Sequence, residues 1–222
     1  MLTYIFPKQA FSTSGKQYPN LLREQTLQIG LAEVLTTTFE ANDSVILDFG
    51  EELSGGIRIL NFHGKNVPVR IRFGESLTEA CSELGGAQNA TNDHSLRDFS
   101  VLLQDYSDMT FGQTGFRFVR LDFQGTTRIK CVAAAALVND LLPQYVYGGT
   151  DDCVKQIFDA AKRTVDLCIS GGYVWDGVKR DRLVWIGDMA PEVLALTTLY
   201  GRMDCIERSL DFVRDQTLLP GW

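Results

Sequence analysis

The stretch GFRFVRLDF, residues 115–123, interleaves two arginines and an aspartate with phenylalanine, valine and leucine. Successive side chains of a β-strand point to opposite faces, so this pattern predicts a strand with one face in the core and the other near solvent. GGIRIL (55–60) and VPVRIRFG (67–74) alternate apolar residues with arginine in the same way. The repeated period of two indicates a sheet in this half of the chain.

Two further segments extend the predicted sheet. SVILDFG (44–50) is an apolar run that ends at a glycine, and RIKCVAAAALV (128–138) is more uniformly apolar, as expected of a buried strand. Six or more strands with glycine-containing turns and no intervening helix predict an antiparallel β-sandwich. Residues 76–98, rich in Gly, Asn and Ser, are predicted to form a long loop.

The hydrophobic periodicity changes in the last third of the chain. Within DDCVKQIFDAAKRTVDLCIS (151–170), apolar residues recur at the i, i+3, i+4, i+7 spacing of an amphipathic helix. Either Thr150 or Asp151 has the side-chain oxygen that an N-cap requires. The change of period divides the chain into a predicted β-sandwich domain, residues 1–145, and a predicted helical domain, residues 146–222.

Two more helices are predicted in the helical domain. One begins just after Gly187, with Pro191 in its first turn, and ends near Gly201. Another covers about residues 204–215, with apolar residues on one face. The fold class is therefore multidomain, β followed by α.

Composition and charge limit the classes of function. The 222 residues are 45% hydrophobic and 22% charged, which is typical of a globular protein with a packed core. The formal net charge is −7 and the pI is near 4.9, so the basic surface of a nucleic-acid-binding protein is not expected. A neutral ligand such as a sugar agrees better with this charge than a polyanion does.

Cysteine and histidine usage argues against a metal or a disulfide framework. The chain has five cysteines, an odd number without a CxxC pair, and only two histidines. Buried free thiols and no cofactor are expected. The N-terminus lacks the basic and apolar regions of a signal peptide, and no apolar stretch approaches the length of a membrane span. No membrane association is expected, and a native N-terminus would indicate a cytoplasmic protein.

The segment VWDGVKRDRLVWIGD (174–188) concentrates charge and indole between the first two predicted helices. Asp176, Asp181 and Asp188 are five and seven residues apart, so they meet only if the chain loops. Carboxylates accept hydrogen bonds from sugar hydroxyls, an indole face covers the C–H surface of a pyranose, and a carboxyl group can protonate a glycosidic oxygen. The alternative interpretation is structural, with surface salt bridges and packed tryptophans.

The central motif DGVKRDRLVWIGD (176–188) strongly resembles the segment that begins the catalytic (α/α)6 barrel of bacterial α-L-rhamnosidases, glycoside hydrolase family 78. Other segments resemble the β-sandwich that precedes this barrel and the next barrel helix. They are LDFGEELSGGIRI (47–59), VRIRFGESL (69–77), NDHSLRDF (92–99), GFRFVRLDF (115–123) and RSLDFVRDQTLLPGW (208–222).

The resemblance implies inverting hydrolysis of terminal α-L-rhamnosides, with a rhamnose-containing glycoside or oligosaccharide as the partner. Asp176 and Asp188, together with Arg180, are expected to bind the sugar. Trp185 stands where the family has an aromatic wall against rhamnose. Asp181 stands at the general acid, which is usually a glutamate in the family.

The resemblance also implies that the 222 residues hold only part of such an enzyme. The family's general base is a glutamate late in the barrel, so the chain alone is expected to be inactive. Uncovered apolar helix faces then predict self-association. Two other functions stay open: a non-catalytic carbohydrate-binding β-sandwich module, and a structural or interaction domain that shares the fold.

Overall fold

The chain divides into two compact units. The sandwich unit is Leu2–Leu137 and the helical unit is Val138–Trp222. A computed structural model of the protein describes residues 1–33, 35–85, 96–179 and 182–216.

In its described residues, the sandwich unit contains eight strands joined in one antiparallel system. They are β1 (Leu2–Ile5), β2 (Gln9–Ser12), β3 (Thr37–Phe39), β4 (Ser44–His63), β5 (Val67–Gly74), β6 (Asp98–Leu103), β7 (Ser107–Phe123) and β8 (Thr127–Leu137). Their order is β1-β8-β4-β7-β5-β6, while β2 also pairs with β4 and β3 with β8. The predicted antiparallel, sandwich-like β architecture followed by helices is confirmed.

Strand β4 is longer than predicted. The segments 44–50 and 55–60 were expected as separate strands, but they belong to one strand of 20 residues. Its first part pairs with β2 and β7, and its second part pairs with β7 and β8. The register with β7 shifts between Asp48 and Leu53, where Gly50 has a φ of +85°. A glycine with positive φ at such an irregularity can bend a strand without ending it. Gly50, which was expected to end a strand, therefore lies at a bend within β4.

The alternation predicted for β5 and β7 separates an apolar face from a charged one. Val69 and Ile71 are fully buried in the core, whereas Arg70 makes ion pairs at the other face. Arg72 lies on that charged face, yet it is only 3% exposed because Glu83 and Asp122 cover its guanidinium. Pairing removes most of the cost of burying this charge.

The predicted loop over residues 76–98 contains a short helix, α1 (Leu77–Cys81). The Ser76 side chain accepts a hydrogen bond from the Glu79 backbone N–H, and the Glu79 carboxylate accepts one from the Glu75 N–H. Ser76 and Glu79 have the S/T-x-x-E spacing of a capping box, although the Glu79 carboxylate accepts from Glu75 and not from the N-cap residue Ser76. Residues 86–95 of the same segment lie outside the described residues.

The described part of the helical unit, residues 138–179 and 182–216, contains three helices and a small hairpin. Its elements are α2 (Asp152–Leu167), β9 (Ile169–Ser170), β10 (Tyr173–Val174), α3 (Ile186–Tyr200) and α4 (Asp204–Gln216). The predicted N-cap Asp151 is confirmed, because its carboxylate accepts hydrogen bonds from the N–H groups of Cys153 and Val154. Helix α3 begins at Ile186, so the placement of Pro191 in the first turn is wrong. Pro191 lies in the second turn, where it cannot donate to the carbonyl of Gly187.

All five cysteines are free, but their predicted burial is only partly correct. Cys131, Cys168 and Cys205 are buried, whereas Cys81 and Cys153 are exposed. Cys153 lies in the first turn of α2, a helix that buries none of its side chains fully. Across the described ranges, no group of three or more His, Cys, Asp or Glu could hold a metal ion. None of the helices in those ranges has the length and apolar character needed to cross a bilayer.

Gly56 is predicted to be intolerant of any side chain. A Cβ atom at this position would lie 2.2 Å from the Gly112 carbonyl oxygen and 2.5 Å from that of Phe111. Both atoms are backbone, so Gly56→Ala should destabilise the protein by about 3 kcal/mol. In Gly125→Ala the new Cβ meets only Val67 at 3.5 Å, so this control should change stability by less than about 0.5 kcal/mol. Urea denaturation measures both, and equal stabilities would contradict the packing of β4 on β7.

Exposed apolar side chains of the helical unit predict self-association. Val146, Ile157 and Leu194 are 69%, 63% and 70% exposed. Leu194→Glu should increase the monomer fraction, because a charge opposes burial of this surface in a contact between copies. Light scattering over a concentration series measures the change, with Gln113→Glu at an exposed position of the sandwich unit as the control. A chain that stays monomeric at all concentrations would refute the prediction.

Candidate functional site

A tight hairpin follows the first helix of the helical unit. Strands β9 and β10 pair antiparallel, with Tyr173 opposite Ser170. The two turn residues, Gly171 and Gly172, have φ values of +62° and +84°, as a type I′ turn requires. The Trp175 N–H then donates to the Cys168 carbonyl at 2.8 Å, so the chain returns beside the end of α2. The Gly-Gly pair is the sequence signal for this hairpin, which was not among the predicted elements.

Helix α4 fixes the position of the hairpin. Ser209 is fully buried, and its Oγ accepts a hydrogen bond of 2.8 Å from the Val174 N–H. The same hydroxyl donates to the Cys205 carbonyl at 2.7 Å. The Tyr173 ring also meets Phe212 edge to face at 5.7 Å. These contacts hold Tyr173 and Val174, where the chain enters the segment 174–188.

Asp176 closes the chain between residues 176 and 183 into a loop. Its backbone N–H donates to the Leu183 carbonyl at 2.9 Å, and its Oδ1 accepts from the Leu183 N–H at 2.8 Å. Beside this closure, the Arg182 guanidinium lies over the Trp175 ring, 5.7 Å from its centre. Two candidates of the motif, Arg180 and Asp181, lie outside the described residues.

Trp185 and Asp188 stand at the start of helix α3. Trp185 occupies the N-cap position, makes no side-chain capping bond and is 50% exposed. Asp188 lies in the first turn, where the partial positive charge of the helix N-terminus favours a carboxylate. An exposed indole and an exposed carboxylate therefore project from the same turn.

A third carboxyl group, Glu192, joins Asp176 and Asp188. Burial, together with the negative charges of Asp188 and Asp176, raises the pKa of Glu192 from an ordinary value of 4.5 to about 7. Its Oε2 atom is buried and finds no hydrogen-bond partner among the described residues. Glu192 was not a candidate from sequence, although its i, i+4 spacing from Asp188 places both on one helix face.

The three carboxyl groups differ in what they can do chemically. Glu192 holds a proton over part of the neutral range and can donate or accept one there, because its pKa lies near 7. Asp188 is exposed and can accept hydrogen bonds from hydroxyl groups as a carboxylate. A carboxyl group with a pKa near neutrality is typical of acid–base sites. Asp176 and Asp188 both lie near enough to Glu192 for their charges to raise its pKa.

Solved structures of rhamnosidases resemble this chain. A rhamnosidase from Klebsiella oxytoca with rhamnose bound is 22% identical, with a TM-score of 0.70 over 78% of this chain and 36% of its own. A GH78 family rhamnosidase of Bacillus sp. GL1 is 15% identical, with a TM-score of 0.70 over 90% of this chain and 21% of its own. An α-L-rhamnosidase from Dictyoglumus thermophilum is 16% identical, with a TM-score of 0.55 over 83% and 22%.

These similarities establish a shared fold over part of the rhamnosidases. The chain spans 36%, 21% and 22% of the three proteins. No protein-family model matches the chain. No curated protein matches it. The resemblance in fold to a region of GH78 α-L-rhamnosidases is thus confirmed.

Glu192 should make stability depend on pH. Its pKa is raised in the folded state, so its contribution is fully present below about pH 4.5 and is lost as the pH rises through about 7. Glu192→Gln removes this dependence, so the melting temperature of the variant relative to wild type should rise between pH 4.5 and 8. The expected rise is about 2–4 °C, roughly 1 kcal/mol after allowance for solvent screening of a partly exposed group.

Glu207→Gln is the control for this pH series. Glu207 is exposed, and a hydrogen bond from Arg202 lowers its pKa, so its replacement should not produce a rise. Differential scanning calorimetry at several pH values measures both variants. A constant difference between Glu192→Gln and wild type would show that the Glu192 carboxyl is not buried beside Asp188.

Proposed function

We propose that this chain is part of a glycoside hydrolase that acts on terminal α-L-rhamnosides. The observation that carries the proposal is the influence of Asp176 and Asp188 on the partly buried Glu192, in a helix whose N-cap is the half-exposed Trp185. Carboxylates and an aromatic face together recognise the hydroxyl and C–H surfaces of a pyranose. The similarity in fold to rhamnosidases supports this substrate class.

The proposed roles follow the chemistry of each side chain. Asp188 and Asp176 accept hydrogen bonds from rhamnose hydroxyls, and Arg180 donates to them. Trp185 covers the apolar face of the sugar. Asp181 is the proposed general acid, which protonates the leaving oxygen. This role requires that the Asp181 carboxyl has a pKa near the working pH.

Helices α2, α3 and α4 are proposed to be the first helices of an (α/α)6 catalytic barrel. An inverting mechanism needs a second carboxylate about 6.5–9.5 Å from the acid, with room for a water molecule between them. By resemblance, this general base comes from a later barrel helix. The 222-residue chain is therefore proposed to bind rhamnose without turning over a rhamnoside by itself.

Binding and hydrolysis test the proposal separately. In the chain, Trp185→Ala and Asp188→Asn should each weaken L-rhamnose binding by about tenfold, the equivalent of one lost hydrogen bond or stacking contact. Tryptophan fluorescence and calorimetric titration measure this, with Asp211→Asn on α4 as the control because Asp211 pairs with Arg214 on the surface. In the longest protein that the gene encodes, Asp181→Asn should lower kcat on an aryl α-L-rhamnoside by about 100-fold or more.

Other results would reject this function. If the longest protein cleaves no aryl α-L-rhamnoside, or if Asp181→Asn and Asp188→Asn leave cleavage unchanged, the site is not that of a rhamnosidase. An interaction domain that shares the fold would then be the better explanation.

A further inference from the structure

Strand β6 is an edge of the sheet in the sandwich unit. It pairs with β5 without a register shift, from Val67 opposite Leu103 to Arg72 opposite Asp98. It stands last in the strand order, and within the described ranges no strand pairs with its other side. With six residues it is longer than β1, the strand of four residues at the other end of that order.

The register shows which backbone groups of β6 point away from β5. The Phe73 N–H donates to the Arg97 carbonyl at 2.8 Å, so these two residues form a hydrogen-bonded pair. Hydrogen-bonded pairs alternate along an antiparallel ladder, so every second residue counted from Arg97 faces β5. The N–H and carbonyl groups of Asp98, Ser100 and Leu102 therefore point outward, where another strand can reach them.

The sequence of β6 lacks the usual protection of an edge strand. Such strands commonly carry lysine or proline, contain bulges or are very short, because open backbone groups pair readily with other chains. The strand reads DFSVLL and has neither lysine nor proline. Its single charged side chain, Asp98, is only 6% exposed and pairs with Arg70 at 2.6 Å. Leu102 is 53% exposed, so the edge presents apolar surface to solvent.

The side chains of β6 are complementary to a second copy of the same strand. An antiparallel copy related by a two-fold axis through Ser100 sets residue 98 opposite residue 102 and residue 100 opposite itself. These are the outward-facing positions, so about six backbone hydrogen bonds can form. On the core side, Phe99 then lies opposite the partner's Val101, a favourable pairing of an aromatic with a β-branched side chain. Both side chains are only partly buried at the edge of the core, and the second strand covers them.

The charges along the edge permit this arrangement. Asp98 lies opposite the partner's Leu102 and not opposite a second Asp98, so like charges do not meet directly across the strands. The Asp98 carboxylate also accepts hydrogen bonds from Arg70 Nε at 2.8 Å and Nη2 at 2.6 Å. Its charge is therefore already matched within one copy.

We propose that two copies of this chain associate edge to edge through β6, in antiparallel register about Ser100. The two sheets join into one at this contact, and Phe99 and Val101 of both copies become buried. The edge belongs to the sandwich unit alone, so the contact is independent of the function proposed for the helical unit.

Sedimentation velocity over a concentration series tests the association. The full chain carries Leu194→Glu in this experiment, so that contacts through the helical unit contribute less. A monomer–dimer equilibrium is expected between about 1 µM and 1 mM. Ser100→Pro removes an outward N–H without removing a hydrogen bond between β5 and β6, and Leu102→Lys places a charge on the edge. Each should raise the dimer Kd by about tenfold or more, while the melting temperature at low concentration changes little.

Leu2→Pro and Leu2→Lys are the matched controls. Leu2 is 52% exposed and lies in β1, the edge strand at the other end of the order. Its N–H also points away from the sheet, because the neighbouring Met1 carbonyl accepts a hydrogen bond from the Val138 N–H. Neither control should change the Kd of the dimer.

Amide hydrogen exchange measured by NMR locates the contact. Exchange at the Ser100 and Leu102 N–H groups should slow as the protein concentration rises, whereas exchange at Leu2 should not. The proposal is overturned if the chain stays monomeric, which would leave the edge to a strand of another protein. It is also overturned if Ser100→Pro and Leu102→Lys dimerise as tightly as the Leu2 controls, or if the slowed amides lie outside β6.

Discussion

The close approach of strand β4 to its neighbours is the constraint on which the sandwich unit depends. Over its second half β4 is hydrogen-bonded to β7 on one side and to β8 on the other. Here Gly55 and Gly56 leave no room for a side chain, because a Cβ atom would lie 2.1 Å from the Ala135 oxygen or 2.2 Å from the Gly112 oxygen. Backbone packed this tightly sets the register of three strands at once, and the register decides which side chains face the core.

Buried polar groups of the sandwich unit differ in whether they have a partner. Arg72 and Lys130 are nearly fully buried, and each is matched by a carboxylate, Lys130 by Glu33 at 2.8 Å. Ion pairing makes such burial tolerable without making it strongly stabilising. The hydroxyls of Tyr18 and Thr37 lack this compensation among the described residues, although they are buried to a similar degree. The Nε atom of Arg72 likewise has no partner among the described residues, so the ion pairs do not satisfy every buried polar atom of the unit.

In the helical unit, a few local contacts determine the conformation of residues 174–188. The Gly-Gly turn reverses the chain, Ser209 holds the hairpin, and the Asp176 contacts with Leu183 close the loop. Together they bring the charge of Asp176 close enough to act on Glu192, which Asp188 also influences. The resulting carboxyl group with a pKa of about 7 arises from partial burial and neighbouring negative charge, not from any property of glutamate alone.

The sequence by itself determined the features that depend on neighbours along the chain. The strand Val67–Gly74 and the N-cap Asp151 agree with their predictions, because side-chain period and capping are local properties. Only the tertiary structure decided that residues 44–63 form one strand, since its continuity comes from pairing with distant segments. It also decided the state of Glu192 and the unpaired hydroxyl of Tyr18. Desolvation and hydrogen bonding depend on which distant residues surround a group, and no local pattern encodes them.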